Sequence, residues 1–247
     1  MIRWHCHDTY QQMPPGAAAG GIAVVIDVLR ASTTMITALA HGAAGVLPVA
    51  DVAAARGRAA ALGPTALLGG ERGGLRIPGF DLGNSPREYI ADRVAGRTVV
   101  ITTTNGTAAL HAARDAATIV VGAIVNRSAT AATLRRIAGA AADVHLVCAG
   151  TDGAVSAEDI LAAGAILAAA AADRGDHLDA GATAALTRFR RVATAADLPA
   201  ALVAEFRRAP GGANLVALGM EADLPAAAAI DTATVVPRID RASGCLI

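Results

Sequence analysis

Four short stretches hold most of the chain's clustered polar chemistry: Asp27–Thr34, Glu71–Ser85, Thr102–Thr107 and Gly150–Asp159. They offer carboxylates at Asp27, Glu71, Asp81 and Asp159 and guanidinium groups at Arg30 and Arg72. Hydroxyls stand at Ser32, Thr33, Thr34, Ser85, Thr103, Thr104 and Thr107, and side-chain amides at Asn84 and Asn105. Gly73, Gly74, Gly106 and Gly150 let the backbone come close to a ligand. Arginine grips phosphate-like oxyanions bidentately. Mg²⁺ is held by one or two carboxylates together with substrate phosphate and water. The combined set suits a phosphorylated small molecule bound with a hard cation.

The stretch Gly69–Pro86 contains no alanine in a chain otherwise rich in it. It is too apolar at Ile77-Pro78-Gly79-Phe80 for disorder and reads as a long structured loop. Other chemistries are excluded. The 247 residues include no lysine, which removes a Schiff-base lysine, a pyridoxal-phosphate anchor and a P-loop lysine. The histidines lie outside the polar clusters, so no Ser-His-Asp nucleophile is legible. Net charge is zero and no basic run occurs, which argues against nucleic acid. Cys6, Cys148 and Cys245 are odd in number and widely spaced, as expected of free thiols in a reducing compartment. No signal core or membrane span is visible, and a cytoplasmic protein is expected.

These residues need elements to position them. Ile22–Asp27 is an apolar run ending in an acid, as a buried parallel strand reads. Ser32-Thr33-Thr34 then opens a helix to about His41, whose free N–H groups would face an anion. The alternation repeats, with strands at Val46–Val49, Thr65–Leu68, Thr98–Thr102, Thr118–Val121 and Val144–Cys148. Helices are expected over Asp51–Leu62, Pro86–Val94, from Asn105-Gly106 to Arg114, and from Asn126 to Ile137. A long alanine-rich helix follows from Ser156 to about Asp173, with Asp159 placed as a cap or as a functional acid. Leu178–Val192 and Leu198–Arg208 read as further helices, and Thr234–Arg238 as a last strand. Ile2–His7 reads as an edge strand with His5 and His7 on one face. Their spacing is that of metal ligands, but no third ligand is near in sequence. Cys148 reads as a small buried hydrophobe. No linker or repeat divides the chain, so one α/β domain is expected: three layers, α/β/α, about a mostly parallel or mixed sheet, with ligands at strand carboxyl ends.

Val25–Thr34, Gly70–Pro86 and Thr102–Thr107, with Cys148–Gly150, Glu158-Asp159, Asn214–Gly219 and Val235–Pro237, resemble the 2-phosphosulfolactate phosphatases over nearly the whole chain. The resemblance implies a Mg²⁺-dependent phosphatase that converts 2-phospho-3-sulfolactate to 3-sulfolactate and phosphate, a step toward coenzyme M. Two departures stand out. The family commonly carries a basic residue after the Asn-Gly-Thr turn and often another in a glycine-rich C-terminal segment, where this chain has Ala108 and Ala213.

The expected site therefore has Asp27 as metal ligand or nucleophile, with Glu71, Asp81 and Asp159 as further metal-binding acids. Arg30 and Arg72 would neutralise the substrate's oxyanions. The N–H groups of Ser32–Thr34 and Asn105–Thr107 would complete a cradle. An aspartyl-phosphate mechanism of the haloacid-dehalogenase kind is the runner-up, although its second acid is replaced by Leu29. A phosphatase for another small monoester and a non-catalytic anion-binding relative are the alternatives. A homodimer is compatible with the sequence, which is otherwise silent on assembly.

Overall fold

The computed structural model describes residues 1–139, 142–170 and 175–247. Its strands are β1 (Arg3–His7), β2 (Ile22–Ile26), β3 (Gly45–Pro48), β4 (Ala66–Arg72), β5 (Leu75–Arg76), β6 (Thr98–Thr102), β7 (Thr118–Val121), β8 (Asp143–Cys148) and β9 (His177–Leu178). The helices begin with α1 (Ala31–Ala40), α2 (Val52–Leu62), α3 (Ala91–Val94), α4 (Gly106–Ala112) and α5 (Arg127–Ile137). They continue with α6 (Ala157–Ala170), α7 (Ala180–Val192), α8 (Leu198–Arg208), α9 (Pro210–Ala217) and α10 (Asp223–Ala228). The α/β layered class expected from the sequence holds, and the strands divide between two sheets. The first has the order β7-β2-β8-β1-β9 and is parallel throughout. The second has the order β3-β6-β4-β5, parallel except for the β4–β5 hairpin.

Every residue of β2 is buried, because both faces of its sheet are covered. Val24 and Ile26 point into a core shared with Leu161, Ile166 and Phe189 of α6 and α7. Ala23 and Val25 point the other way, into a core with Met35 and Ile36 of α1, Leu110 of α4, and Val99 and Ile101 of β6. Helices α1 and α4 thus join the two sheets through one apolar layer. The outer face of the second sheet carries Leu47 and Val100 against Ala55 of α2, Ile77 and Phe80. Burial of such aliphatic surface stabilises the fold by ~25 cal/mol per Å². Alanine at so many helix positions lets these layers approach closely.

Several elements differ from expectation. β1 is flanked by both β8 and β9, so it is not an edge strand. Leu178 belongs to β9 and not to the following helix. The stretch after Pro86 is a 3₁₀ turn, Pro86–Glu88, before the one-turn α3, since Tyr89 leaves helical geometry. Thr234–Arg238 is extended but forms no strand; Arg238 makes only a single bridge to Val120. The described part of α6 ends at Ala170, and the expected continuation to Asp173 lies outside the described residues. Cys6, Cys148 and Cys245 are free thiols. Among the described residues, no helix is long and apolar enough to cross a membrane.

The His5/His7 face gains a third histidine through strand register. His5 aligns with His145 of β8, their rings stack at 4.5 Å, and His7 Nε2 lies 3.0 Å from His145 Nδ1. Asp143 and Asp179 approach His5 at 3.0 and 3.4 Å. Among the described residues, no three such side chains are arranged to hold a metal. Burial, then the neighbouring His5 and His7, pushes His145 down to about 4 from an ordinary value near 6.5. A depressed folded-state pKa means the neutral ring is favoured on folding. That stabilisation is complete above pH 6.5 and is lost as pH falls toward 4. The melting temperature of the wild type should therefore drop relative to that of His145→Asn across this interval in scanning calorimetry. Parallel curves would remove the histidine stack from the acid response.

Candidate active site

The four polar junctions expected from the sequence meet at one cleft, where carboxyl ends of strands from both sheets face each other. Its walls include Asp27 and Arg30 after β2, Glu71, Gly73, Gly74 and Asn84 from the hairpin region, Thr104 and Asn105 after β6, and Thr151 and Asp152 after β8. A fifth element joins them: Gly211, Asn214 and Leu215 of α9. The enclosed volume is about 120 Å³, well below the ~300–1,000 Å³ of pockets for drug-sized ligands.

Asp27 sits between two helix starts. Its Oδ1 accepts from Ala31 N–H at 3.1 Å, and the Gly106 N–H at the head of α4 also favours its charged form. A side chain at Gly106 would place a Cβ 2.7 Å from Asp27 Oδ2 and 2.5 Å from Ala31 Cβ, so this position must be glycine for the helices to close on the acid. Burial nevertheless pushes Asp27 up to about 7, with the Glu71 charge adding to the rise and Arg30 opposing it.

Much of the predicted loop is a hairpin. Arg72 pairs with Leu75 across Gly73-Gly74, whose φ values of +60° and +84° are those of a tight two-residue turn. Glu71 fastens this hairpin to the β6 turn. Its Oε2 accepts from Gly74 N–H at 2.9 Å, and its Oε1 accepts from Thr104 N–H at 2.8 Å and Thr104 Oγ1 at 3.0 Å.

Arg30 reaches the cleft as a buried cation. It donates to Asp223 Oδ2 at 2.8 Å, to Met220 Sδ at 2.9 Å and to the Gly74 carbonyl at 2.6 Å. Ser85 Oγ donates to the other Asp223 oxygen at 2.6 Å. Ser85 thereby supports the ion pair and does not line the cleft.

Other expected site residues serve the frame. Ser32 Oγ accepts from Asp27 N–H at 2.9 Å, Thr33 Oγ1 donates to the Val28 carbonyl and Thr34 Oγ1 to the Asn84 carbonyl. The Ser32 and Thr34 N–H groups bond to Asp27 and Arg30 carbonyls, so the expected anion cradle there is already occupied. Thr107 donates twice to Thr103, from its N–H to Thr103 Oγ1 and from its Oγ1 to the Thr103 carbonyl. Asn105 remains at the cleft, its Oδ1 accepting weakly from Asp152 N–H at 3.4 Å. Arg72 is absent from the cleft wall because its guanidinium lies on Thr102, 3.0 Å from Oγ1. Asp81 is exposed and its carboxylate accepts from Leu68 N–H at 2.8 Å, away from Asp27. Asp159 accepts from Val28 N–H at 2.8 Å and Gly150 N–H at 3.0 Å. It ties the ends of β2 and β8 together and makes no capping box.

Glu158 was missed as a site residue, although it stands beside Asp159. It is 1 % exposed, and its Oε1 would lie 2.6 Å from a Cβ on Gly211 of the cleft wall. Its Oε2 is buried with no hydrogen-bond partner. Burial and the charge of Asp27 push it up to about 7. Asp159 is raised too, by burial and then by Asp27 and Glu158. Asn84 Oδ1, on the cleft wall, is a second buried acceptor without a donor. The sequence signal for Glu158 was a carboxylate on the first turn of a helix otherwise made of alanine and aliphatic residues. Asp223 gave no comparable signal, because its contacts are distant in sequence, and α9 was marked only by the family resemblance at Asn214–Gly219.

Neither Ala108 nor Ala213 is part of the cleft wall. Ala108 lines a second, larger cavity, and Ala213 is exposed. Cys148 is fully buried, and its hydrogen bond with Cys6, with burial, holds its thiol well above the ordinary range, which suits packing and not nucleophilic attack.

Comparison with known proteins bears on this arrangement. The family model described as 2-phosphosulpholactate phosphatase matches residues 7–242. A Deinococcus radiodurans protein named "Probable 2-phosphosulfolactate phosphatase" is 45% identical over 219 residues, covering 88% of this chain and 87% of the relative. A protein of the same name from Synechococcus sp. (strain JA-3-3Ab) is 40% identical over 244 residues, with 96% of each chain covered. Another from Symbiobacterium thermophilum is 41% identical, covering 91% of this chain and 93% of the relative.

The closeness of α1 and α4 gives a direct test. Gly106→Ala should destabilise the protein by about 1–3 kcal/mol, the usual cost of forcing an extra carbon into a packed site. Urea denaturation measures it, and an unchanged midpoint would show that the two helix starts are not packed as described.

Proposed function

The chain belongs to the 2-phosphosulpholactate phosphatase family, and from that premise we propose that the cleft hydrolyses 2-phospho-3-sulfolactate, or a closely related small phospho-acid, with Mg²⁺. The observation that carries this reading is a shortage of positive charge. Asp27, Glu158 Oε2 and Asn84 Oδ1 are buried acceptors in or against one small cleft, and the latter two have no donor. A hard hydrated cation supplies what such a set lacks.

Asp27 and Glu158 would hold Mg²⁺, with substrate oxygens and water completing its shell. When bound, the ion supplies charge stabilisation to the phosphoryl oxygens and a more acidic water. Glu71 is assigned a different task. With three hydrogen bonds already formed, it sets the hairpin and the Thr104 turn against each other. Arg30, fixed by Asp223, faces the phosphate or sulfonate oxygens as a preoriented cation. Asn105 and Asn214 on the wall supply amide donors to the same anion.

In the reaction, water attacks phosphorus and the ester P–O bond breaks. The alkoxide of sulfolactate leaves with a proton and inorganic phosphate forms with the rest of the water. The chain's contribution is positioning and electrostatics, which suffice for much of phosphoryl transfer. A cleft of about 120 Å³ favours a three-carbon ester over a nucleotide.

Phosphate release should occur from 2-phospho-3-sulfolactate with Mg²⁺ and stop with chelator. Asp27→Asn should lower kcat/KM by about 10²–10³, the range seen when one aligned electrostatic group is lost. Glu158→Gln should raise the Mg²⁺ concentration needed for half-maximal rate. Release from no phospho-acid at all would favour the non-catalytic anion-binding alternative. Full activity in Asp27→Asn would displace the assignment of the site.

A further inference from the structure

A second cavity of about 540 Å³ opens beside the cleft and is assigned no part in the proposed reaction. Its volume lies within the ~300–1,000 Å³ range of small-molecule sites. Leu110, Ile119 and Ile239 give it an apolar body, while Arg114, Arg241 and His111 are its charged or ionisable members. No Asp or Glu lines it. Arg114 meets Asp115 only at 4.0 Å, with both side chains more than half exposed, so its charge is poorly neutralised. Arg241 donates to the Ala116 carbonyl and so is held in place without losing charge. An apolar body with arginines and no acid is complementary to a molecule of the reverse design.

We propose that this cavity is a second binding site, for an amphipathic organic acid such as an aryl carboxylate or sulfonate. The apolar part contacts Leu110, Ile119 and Ile239, and the anionic head lies at Arg114 and Arg241. Ala108 is on its wall, so a large side chain there would narrow the space. The site is separate from the cleft but shares one wall residue, Thr104. Thr104 is also the residue that holds Glu71 Oε1, so the ligand sits one hydrogen bond from the cleft. The assignment does not depend on the phosphatase reading, because it concerns binding alone.

Calorimetric titration of the full chain with naphthalene-1-sulfonate tests it, with neutral 1-naphthol as the comparison. The expected result is saturable binding of one sulfonate per chain, about fivefold or more tighter than the naphthol, as one charge-assisted contact provides. Arg114→Gln should reduce that preference, and Ala108→Phe should weaken binding with circular dichroism unchanged. Glu158→Gln, on the far side of the cleft against Gly211 and outside the cavity lining, should leave the titration as it is. Absence of saturable binding, equal binding of naphthol, or indifference to Arg114→Gln would overturn the proposal. Loss of binding in Glu158→Gln would overturn it as well, by placing the ligand in the cleft. Should Ala108→Phe fail to fold, the Arg114→Gln comparison decides alone.

Discussion

A carboxylate taken out of water must be given donors or cations in return, or it keeps its proton. Asp27 is the point where this constraint shapes the rest of the protein. It is 7 % exposed and stands at the end of a strand buried on both faces. Its donors are main-chain N–H groups at the starts of α1 and α4, which follow strands of different sheets. The two sheets are thus brought to a common edge by the requirements of one acid, and Gly106 is small so that they can meet there. The compensation remains incomplete, as the rise of Asp27 to about 7 shows.

The neighbouring acids divide into two kinds by what their oxygens already hold. Glu71 and Asp159 are clamps: each spends its carboxylate on main-chain N–H groups from separate turns. Asp27 and Glu158 retain unmet capacity. This division could not have been made from residue type. It explains why among the described residues no three acids or histidines are arranged to hold a metal, even though four carboxylates are gathered in one region. Two ligating acids with water and substrate are enough for Mg²⁺, which dehydrates reluctantly.

The legible parts of the sequence were those governed by local physics. The apolar run Ile22–Ile26, the glycine after α1 and the alanine-rich α6 specify element type without help from the rest of the chain. The four polar junctions were legible as a set, because ligand sites gather at strand carboxyl ends. The split into two sheets was not, since Val46 and Val120 look alike as short aliphatic strands and only pairing distinguishes them. Arg30 and Arg72 also look alike in sequence. A partner 193 residues away, Asp223, buries one, while Thr102 draws the other along its strand. Hydroxyls at Ser32–Thr34 were overread for the same reason. A threonine at a helix start bonds either a ligand or its own backbone, and here the backbone wins.

The cleft's charge balance follows from these assignments. Its one buried guanidinium, Arg30, is already matched by Asp223 at 2.8 Å, so Asp27 and Glu158 add negative charge without a counterion. A phosphate ester that also carries a sulfonate and a carboxylate would be repelled by such a wall at a few ångströms. Burial, and then the charge of a neighbouring carboxylate, holds protons on Asp27 and Glu158 near neutrality, and the same two acids would hold the proposed divalent cation. Under that proposal, proton and metal would compete for one set of oxygens. A cation held by these acids would offset their charge and make the acid-lined cleft more attractive to an anion. On this reasoning Arg30 would orient the ester, while the charge of the two acids, once offset, would decide whether the ester enters.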